Sequence, residues 1–239
     1  GAILFGKVPP GSRVLFNDVE LKLSDDGRFV FGVGRDATLE HSLTVQYQDA
    51  TLVKPLTLQA RQYDIQHVNG VAQKYVTPPA EVTERIKRDN QRVRAVRQTI
   101  SELDAVFQTP LMPAKGRISG VYGSQRVFNG EPRNPHFGLD VAAPVGAPVV
   151  APLAGTVLLA EDLYYSGLTL IIDHGFGISS TFMHLSKMDA QVGDIVVQGE
   201  KIAEVGATGR VTGPHLDWRI NWFQERLDPA LIPGLPLSR

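Results

Sequence analysis

Five side chains in the C-terminal half are of the types from which a metal or acid–base centre is built. They are His136 and Asp140 in Asn134-Pro135-His136-Phe137-Gly138-Leu139-Asp140, His184 in Thr181-Phe182-Met183-His184-Leu185-Ser186, and His215 and Asp217 in Gly213-Pro214-His215-Leu216-Asp217-Trp218. If residues 215–220 form a strand, side chains two apart project from one face, and that imidazole and carboxylate share one space. His136 and Asp140 stand four apart, a helical spacing, yet Pro135 and Gly138 argue against a regular helix there. A straight strand would hold their Cα atoms roughly 13 Å apart, whereas ligands of one ion sit about 2 Å from it, so a bend is expected near Gly138. Cysteine is absent, which removes disulfides, a thiol nucleophile and thiolate zinc sites together; any metal here is held by nitrogen and oxygen. Ser179 and Ser180 lack a nucleophile-elbow context, and Gly32-Val33-Gly34 and Gly175-Phe176-Gly177 lack the rest of a phosphate loop. Serine hydrolysis and nucleotide binding therefore find no support.

Elements able to position these groups are legible in the patterning. At 239 residues the chain can bury one large or two modest cores, and two are expected. Residues 13–16, 19–23, 29–31, 43–47 and 56–60 alternate apolar with polar, which predicts half-buried strands, and Ser24-Asp25-Asp26-Gly27 supplies hairpin chemistry between two of them. An Ig-like antiparallel β-sandwich over residues 1–76 is the expected result. His41 and His67 lie in it without a clustered partner and read as ordinary strand or surface residues. Thr77-Pro78-Pro79 then signals a helix start, and Val82, Ile86, Val93, Val96, Ile100, Leu103 and Phe107 form an apolar stripe of about seven turns. That stripe predicts a connecting helix over residues 77–109, with Arg85, Lys87, Arg88, Arg92, Arg94 and Arg97 on the opposite, solvated face. From Pro110 onward lie 16 of the 23 glycines and 11 of the 16 prolines, a punctuation that leaves short strands and turns. Residues 110–239 are accordingly expected to be a mostly antiparallel β domain. The formal charge of −1 gives no global attraction to nucleic acid or an anionic membrane. No apolar run approaches the roughly 18–20 residues of a membrane span. The start at Gly1, without a basic region or full hydrophobic segment, reads as a signal peptide absent or already removed.

The ordered groups resemble the lysostaphin-like (LytM-type) zinc endopeptidases of peptidoglycan, whose marks are His-x-x-x-Asp, a later His-Leu and a final His-x-His. His136/Asp140 and His184-Leu185 match the first two; the third is altered to His215-Leu216-Asp217, with Asp where the family places its last zinc ligand. The likeness runs over roughly residues 110–221. It implies a mainly β peptidase domain in which His136, Asp140 and Asp217 hold Zn2+, and in which His184 and His215 are catalytic neighbours. His215 would take a proton from water and return one to the leaving amine, and His184 would steady the tetrahedral oxyanion. His174 would belong to a structural turn. Carboxylate oxygen is an acceptable zinc ligand, but two aspartates formally neutralise the ion, which implies a weaker Lewis acid and a less acidified water. The implied activity is hydrolysis of peptide cross-links in bacterial peptidoglycan, in the periplasm, at the cell envelope or secreted; the sequence does not fix the number of subunits, and a monomer is the expectation. The departure at Asp217 supplies the alternative, a catalytically degenerate relative that binds or activates another wall hydrolase.

Overall fold

The alternating residues of the N-terminal part form six short strands in the computed structural model, which describes residues 1–68, 80–128 and 130–237. These are β1 (Ala2–Lys7), β2 (Arg13–Phe16), β3 (Val19–Glu20), β4 (Arg28–Val33), β5 (Glu40–Tyr47) and β6 (Ala50–Thr57). β1 pairs with β4, and β3, β2, β5 and β6 make a second antiparallel sheet in that order. Val14, Phe16, Leu21, Phe29, Phe31 and Val33 form one buried cluster drawn from both sheets. Residues 24–27 do turn, with Gly27 at φ +81° and its N–H on the Ser24 carbonyl at 2.9 Å. The flanking strands nevertheless part, β3 to β2 and β4 to β1, so the turn is a corner between sheets and not a hairpin. Burial of β4 explains this: it is covered on both sides, and Gly32 leaves the room that Leu227 and Trp222 of the C-terminal half occupy.

β7 (Ile65–Val68) crosses to pair in parallel with β9 (Gln125–Phe128), which also pairs with β10 (Glu131–Pro132). The proline-rich start signal at residues 77–79 lies outside the described residues. The helix α1 spans Thr83–Val96, shorter than the stripe predicts. Its end tightens, with Gln98 N–H on Ala95 O and Thr99 N–H on Val96 O, and Ser101 O then accepts Phe176 N–H at 3.0 Å. The β-branched Thr99 and Ile100 favour leaving the helix at this point. Ile100 is exposed, and Phe107 ends a separate 3-10 turn (Asp104–Phe107) where it packs on Phe5 and Phe176. Val93 and Val96 seat α1 on Leu159, Leu163 and Ile171. Arg97 departs from the expected solvated face. It points inward and donates to Thr181 Oγ1 at 3.1 Å. Among the described residues no helix is long and apolar enough to cross a membrane.

The C-terminal half contributes β8 (Arg117–Gly120), β11 (Leu139–Ala142), β12 (Pro148–Val150), β13 (Gly155–Leu163), β14 (Gly167–Gly175), β15 (Ile178–Met188), β16 (Ile195–Val196), β17 (Lys201–Val205), β18 (Leu216–Trp222) and β19 (Glu225–Leu227). The main path is the antiparallel order β16-β13-β14-β15-β18-β11-β8. Leu139, Leu170, Ile172, Phe182, Leu216, Trp218 and Ile220 lie in its large buried core. Alternate residues go to the other face, where Asp140 opposes Asp217, Met183 opposes Asp217 from β15, and Thr181 opposes Arg219. One face of the sheet is thus apolar and the other carries the chemistry.

His174 falls on the apolar side. Its Nδ1 lies 2.8 Å from the Ala154 carbonyl and its Nε2 2.7 Å from Ser180 Oγ, which also accepts the Trp218 indole N–H at 3.3 Å. Burial pushes this imidazole down to about 4 against the Ala154 hydrogen bond. The fold therefore favours the neutral ring. The stabilisation is complete above the unfolded value near 6.5 and is lost as pH falls towards about 4, a change of about 3 kcal/mol. Urea unfolding at pH 7.5 and pH 4 should show a His174→Gln variant losing about 3 kcal/mol less than the parent between the two.

Candidate metal centre

β11 and β18 run antiparallel with Asp140 directly across from Asp217. The chain bends at Gly138, as the sequence requires, and the bend returns His136 to the same face. Glycine has a second purpose here. A Cβ at Gly138 would collide with Asp217 Oδ1, and one at Gly120 with Asp140 Oδ2, so these two positions make the room in which the carboxylates sit.

His136 Nε2 stands 3.2 Å from Asp140 Oδ1 and Nδ1 4.0 Å from Asp217 Oδ2, while His215 Nε2 is 4.0 Å from Asp140 Oδ1. The closest of these pairs is a charge contact off the line of a hydrogen bond: His136 Nε2 and Asp140 Oδ1 are both shut off from solvent and lack a hydrogen-bond partner. Such orphaned groups are costly unless something else satisfies them. One ligand atom each from His136, Asp140 and Asp217 lies within 4.8 Å of the other two. Ligands about 2.0–2.2 Å from one zinc ion stand roughly 3.4 Å apart in its tetrahedral geometry. The nitrogen and oxygen donors here close around a divalent cation after side-chain shifts of about an ångström or less. Burial lowers the His136 imidazole, but the Asp140 and Asp217 carboxylates outweigh it and its affinity for a proton is raised.

Arg219, which the sequence reading missed, governs the third group. Its Nη2 donates to Asp217 Oδ2 at 2.7 Å and its Nε reaches both oxygens at 3.0 and 3.2 Å. Asp217 is only 3% exposed. Burial pushes its carboxyl up, yet Arg219, His136 and His184 outweigh burial and hold it below the usual carboxylate range. The signal was available in the strand period, since Arg219 follows Asp217 by two on the same face.

His184 sits in a bulge, where three steps of β15 from Phe182 to Leu185 oppose two of β14. Its φ is +64° and its N–H donates to Ser166 O at 2.8 Å. Such a backbone costs about 1–3 kcal/mol and turns the ring out of the sheet plane. His184 Nδ1 lies 2.9 Å from Thr208 O, in the glycine-rich loop 206–209, and His215 Nδ1 lies 2.9 Å from Gly213 O. A carbonyl can only accept, so each neutral ring carries its hydrogen on Nδ1 and its lone pair on Nε2. The two rings stand 5.0 Å apart. Burial pushes the His184 imidazole down against the Thr208 hydrogen bond. Of the remaining histidines, His41 pairs through Nδ1 with Asn17 Nδ2 at 2.8 Å on β5, and His67 is exposed on β7.

Residues 134–229 match the model of Peptidase family M23. The peptidoglycan DD-endopeptidase ShyB of Vibrio cholerae is 38% identical over 105 residues, 44% of this chain and 24% of that protein. ShyA of the same organism is 36% identical over 119 residues, 49% of this chain and 28% of that protein. The DD-carboxypeptidase/endopeptidase Mpg of Neisseria meningitidis is 41% identical over 97 residues, 41% and 22% of the two. The chain thus spans about a quarter of the length of these curated relatives. The crystal structure of a candidate M23 peptidase from Pseudomonas aeruginosa has a TM-score of 0.73 at 28% identity, covering 97% of this chain and 93% of that one. That likeness takes in the N-terminal strands and α1 as well as the sheet. Residues 134–229 therefore form a peptidase M23 domain, homologous to the matching parts of these relatives.

Proposed function

We propose that this chain is a metal-dependent endopeptidase that hydrolyses peptide cross-links of bacterial peptidoglycan, with Zn2+ held by His136, Asp140 and Asp217. The observation that carries this reading is the pair of buried, unsatisfied ligand atoms, His136 Nε2 and Asp140 Oδ1, with an Asp217 oxygen within reach. A zinc ion so held supplies a Lewis acid that polarises a carbonyl and acidifies water. The names of the relatives support the substrate class, and a wall substrate in turn supports a periplasmic or cell-envelope location.

Arg219 offsets the departure at Asp217. A set of two aspartates and one histidine carries one negative charge more than a set of two histidines and one aspartate, and the guanidinium on Asp217 cancels it. The expected weakening of the metal's acidity is therefore reduced. The remaining carboxylate lone pairs stay free for an ion, because a carboxylate offers about four acceptor sites.

His215 is the general base in this scheme. Its Nε2 lone pair faces the Asp140 side of the centre, 4.0 Å from Oδ1, where it can take a proton from the attacking water and pass one to the leaving amine. His184 starts as a free base, with Nδ1 committed to Thr208 O. It steadies an oxyanion only as the imidazolium, with its second proton taken from solvent at Nε2.

Purified peptidoglycan digested with and without a chelator, with fragments identified by mass, tests the reading. Cleavage at peptide bonds should vanish on chelation and return with zinc; no zinc uptake and no cleavage would leave the non-catalytic alternative. Metal analysis should find Asp217→Ala with at least tenfold weaker zinc binding, whereas His184→Ala and His215→Ala keep the metal and lose about 10²–10⁴ in kcat. Arg219→Met leaves the Asp217 charge buried and unpaired, so chelator-treated protein should lose about 3–5 kcal/mol in urea unfolding, part of it regained on adding zinc.

A further inference from the structure

Next to the centre, a cavity of about 260 Å3 opens between α1 and the polar face of the sheet. His184 and Arg219 are shared between the two. Four guanidinium groups, Arg97, Arg210, Arg219 and Arg226, line it against a single carboxylate, Asp89. That carboxylate is already satisfied: it accepts the Tyr164 N–H at 2.8 Å and Arg92 Nη2 at 2.9 Å. Arg219 is taken up by Asp217. Among the described residues, Arg97, Arg210 and Arg226 have no carboxylate within salt-bridge distance. Arg210 lies over the Tyr165 ring at 4.4 Å and Arg226 over the Phe137 ring at 4.3 Å. These contacts fix the guanidinium planes and leave the charge uncancelled.

Arg97 is the one of the three unpaired guanidinium groups that is not exposed. Its Nη2 donates to Thr181 Oγ1 at 3.1 Å, while its Nε is shut off from solvent with nothing to donate to. Burial, with Arg219 and Arg226 adding repulsion, pushes this guanidinium down to about 9. A buried cation without a counter-charge is expensive, and an anion entering the cavity would relieve that cost at Arg97.

Resting on the hydrolase reading above, we propose that this cavity is a subsite for a carboxylate of the peptide substrate, gripped by Arg97 with Arg226 beside it. Position supports the assignment. Thr181 lies across from Arg219, and Arg219 stands two residues along β18 from Asp217. The site is therefore about 7 Å along the sheet from the centre, roughly two residues of extended peptide. A substrate whose scissile carbonyl lies at the centre reaches the cavity with a carboxyl group on a residue flanking that bond. The planar fork of arginine suits a carboxylate, whose two oxygens it can meet at once, and the Thr181 hydroxyl keeps its own hydrogen free to donate.

The probes are a synthetic cross-linked peptide dimer with free carboxylates beside the cross-link and its amidated twin. Calorimetry on the chelator-treated full chain measures their binding where no turnover occurs, so the result does not depend on the proposed reaction. The parent should bind the carboxylate dimer at least tenfold more tightly than the amide. Arg97→Met, which keeps the apolar stem, should abolish that preference while melting at or above the parent temperature, because an uncompensated charge has been removed. Arg226→Gln should reduce it and serves if the first variant does not fold. Equal affinity for the two dimers, or a preference that survives in both variants, overturns the subsite. Cleavage of the same dimers by zinc-loaded parent is scored separately. A parent that cuts neither ends the hydrolase reading and leaves the carboxylate preference as measured.

Discussion

A buried carboxylate, Asp217, and a half-buried one, Asp140, face each other across one strand pair, and the site is organised around that constraint. Asp140 and Asp217 are cross-strand partners on β11 and β18, a placement in which like charges repel at short range. The fold tolerates it because positive charge stands close by. Arg219 grips Asp217 through both oxygens, and His136 lies between the two acids with its proton affinity raised by them. The same arrangement leaves Asp140 Oδ1 and His136 Nε2 unsatisfied, which is the condition a divalent cation relieves.

Rigidity for this arrangement comes from the other face of the sheet. Phe182 and Trp218 are fully buried beneath the strands that carry Met183 and Asp217. The residues that cannot accept a side chain, Gly120 and Gly138, border the carboxylates themselves. The bulge that turns His184 outward is in turn held by the glycine-rich loop: Thr208 accepts the Leu168 N–H, donates to Leu185 O and presents its carbonyl to His184. That loop is a clamp on a catalytic candidate as well as a chain reversal.

α1 joins the two halves of the site's electrostatics. Its Val93 and Val96 rest on an apolar part of the C-terminal sheet, and the next residue, Arg97, enters the polar cavity. The helix ends where it does because the backbone at Ser101 is needed by Phe176. A longer helix would carry Phe107 away from its packing on Phe5 and Phe176.

Taken alone, the sequence determined the strand-rich composition, the five candidate residues that the fold gathers and their order, and the bend at Gly138, because period, spacing and the geometry of glycine are local properties. It also set His174 apart from these five; the structure places that ring in strand β14, not in a turn, bonded to Ala154 O and Ser180 Oγ. What it could not supply was partnership at a distance. The fate of β4 depended on Leu227 and Trp222 far along the chain, and the end of α1 on a hydrogen bond to Phe176. Arg97 looked solvated on a helical projection, yet it turns inward towards Thr181. Arg219 was visible as a neighbour of Asp217 on one strand face, but its bidentate grip, which sets the charge of the centre, exists only once side chains are packed. Local rules fix which groups a chain offers; which charges end up facing one another is decided when distant strands pair and exclude water.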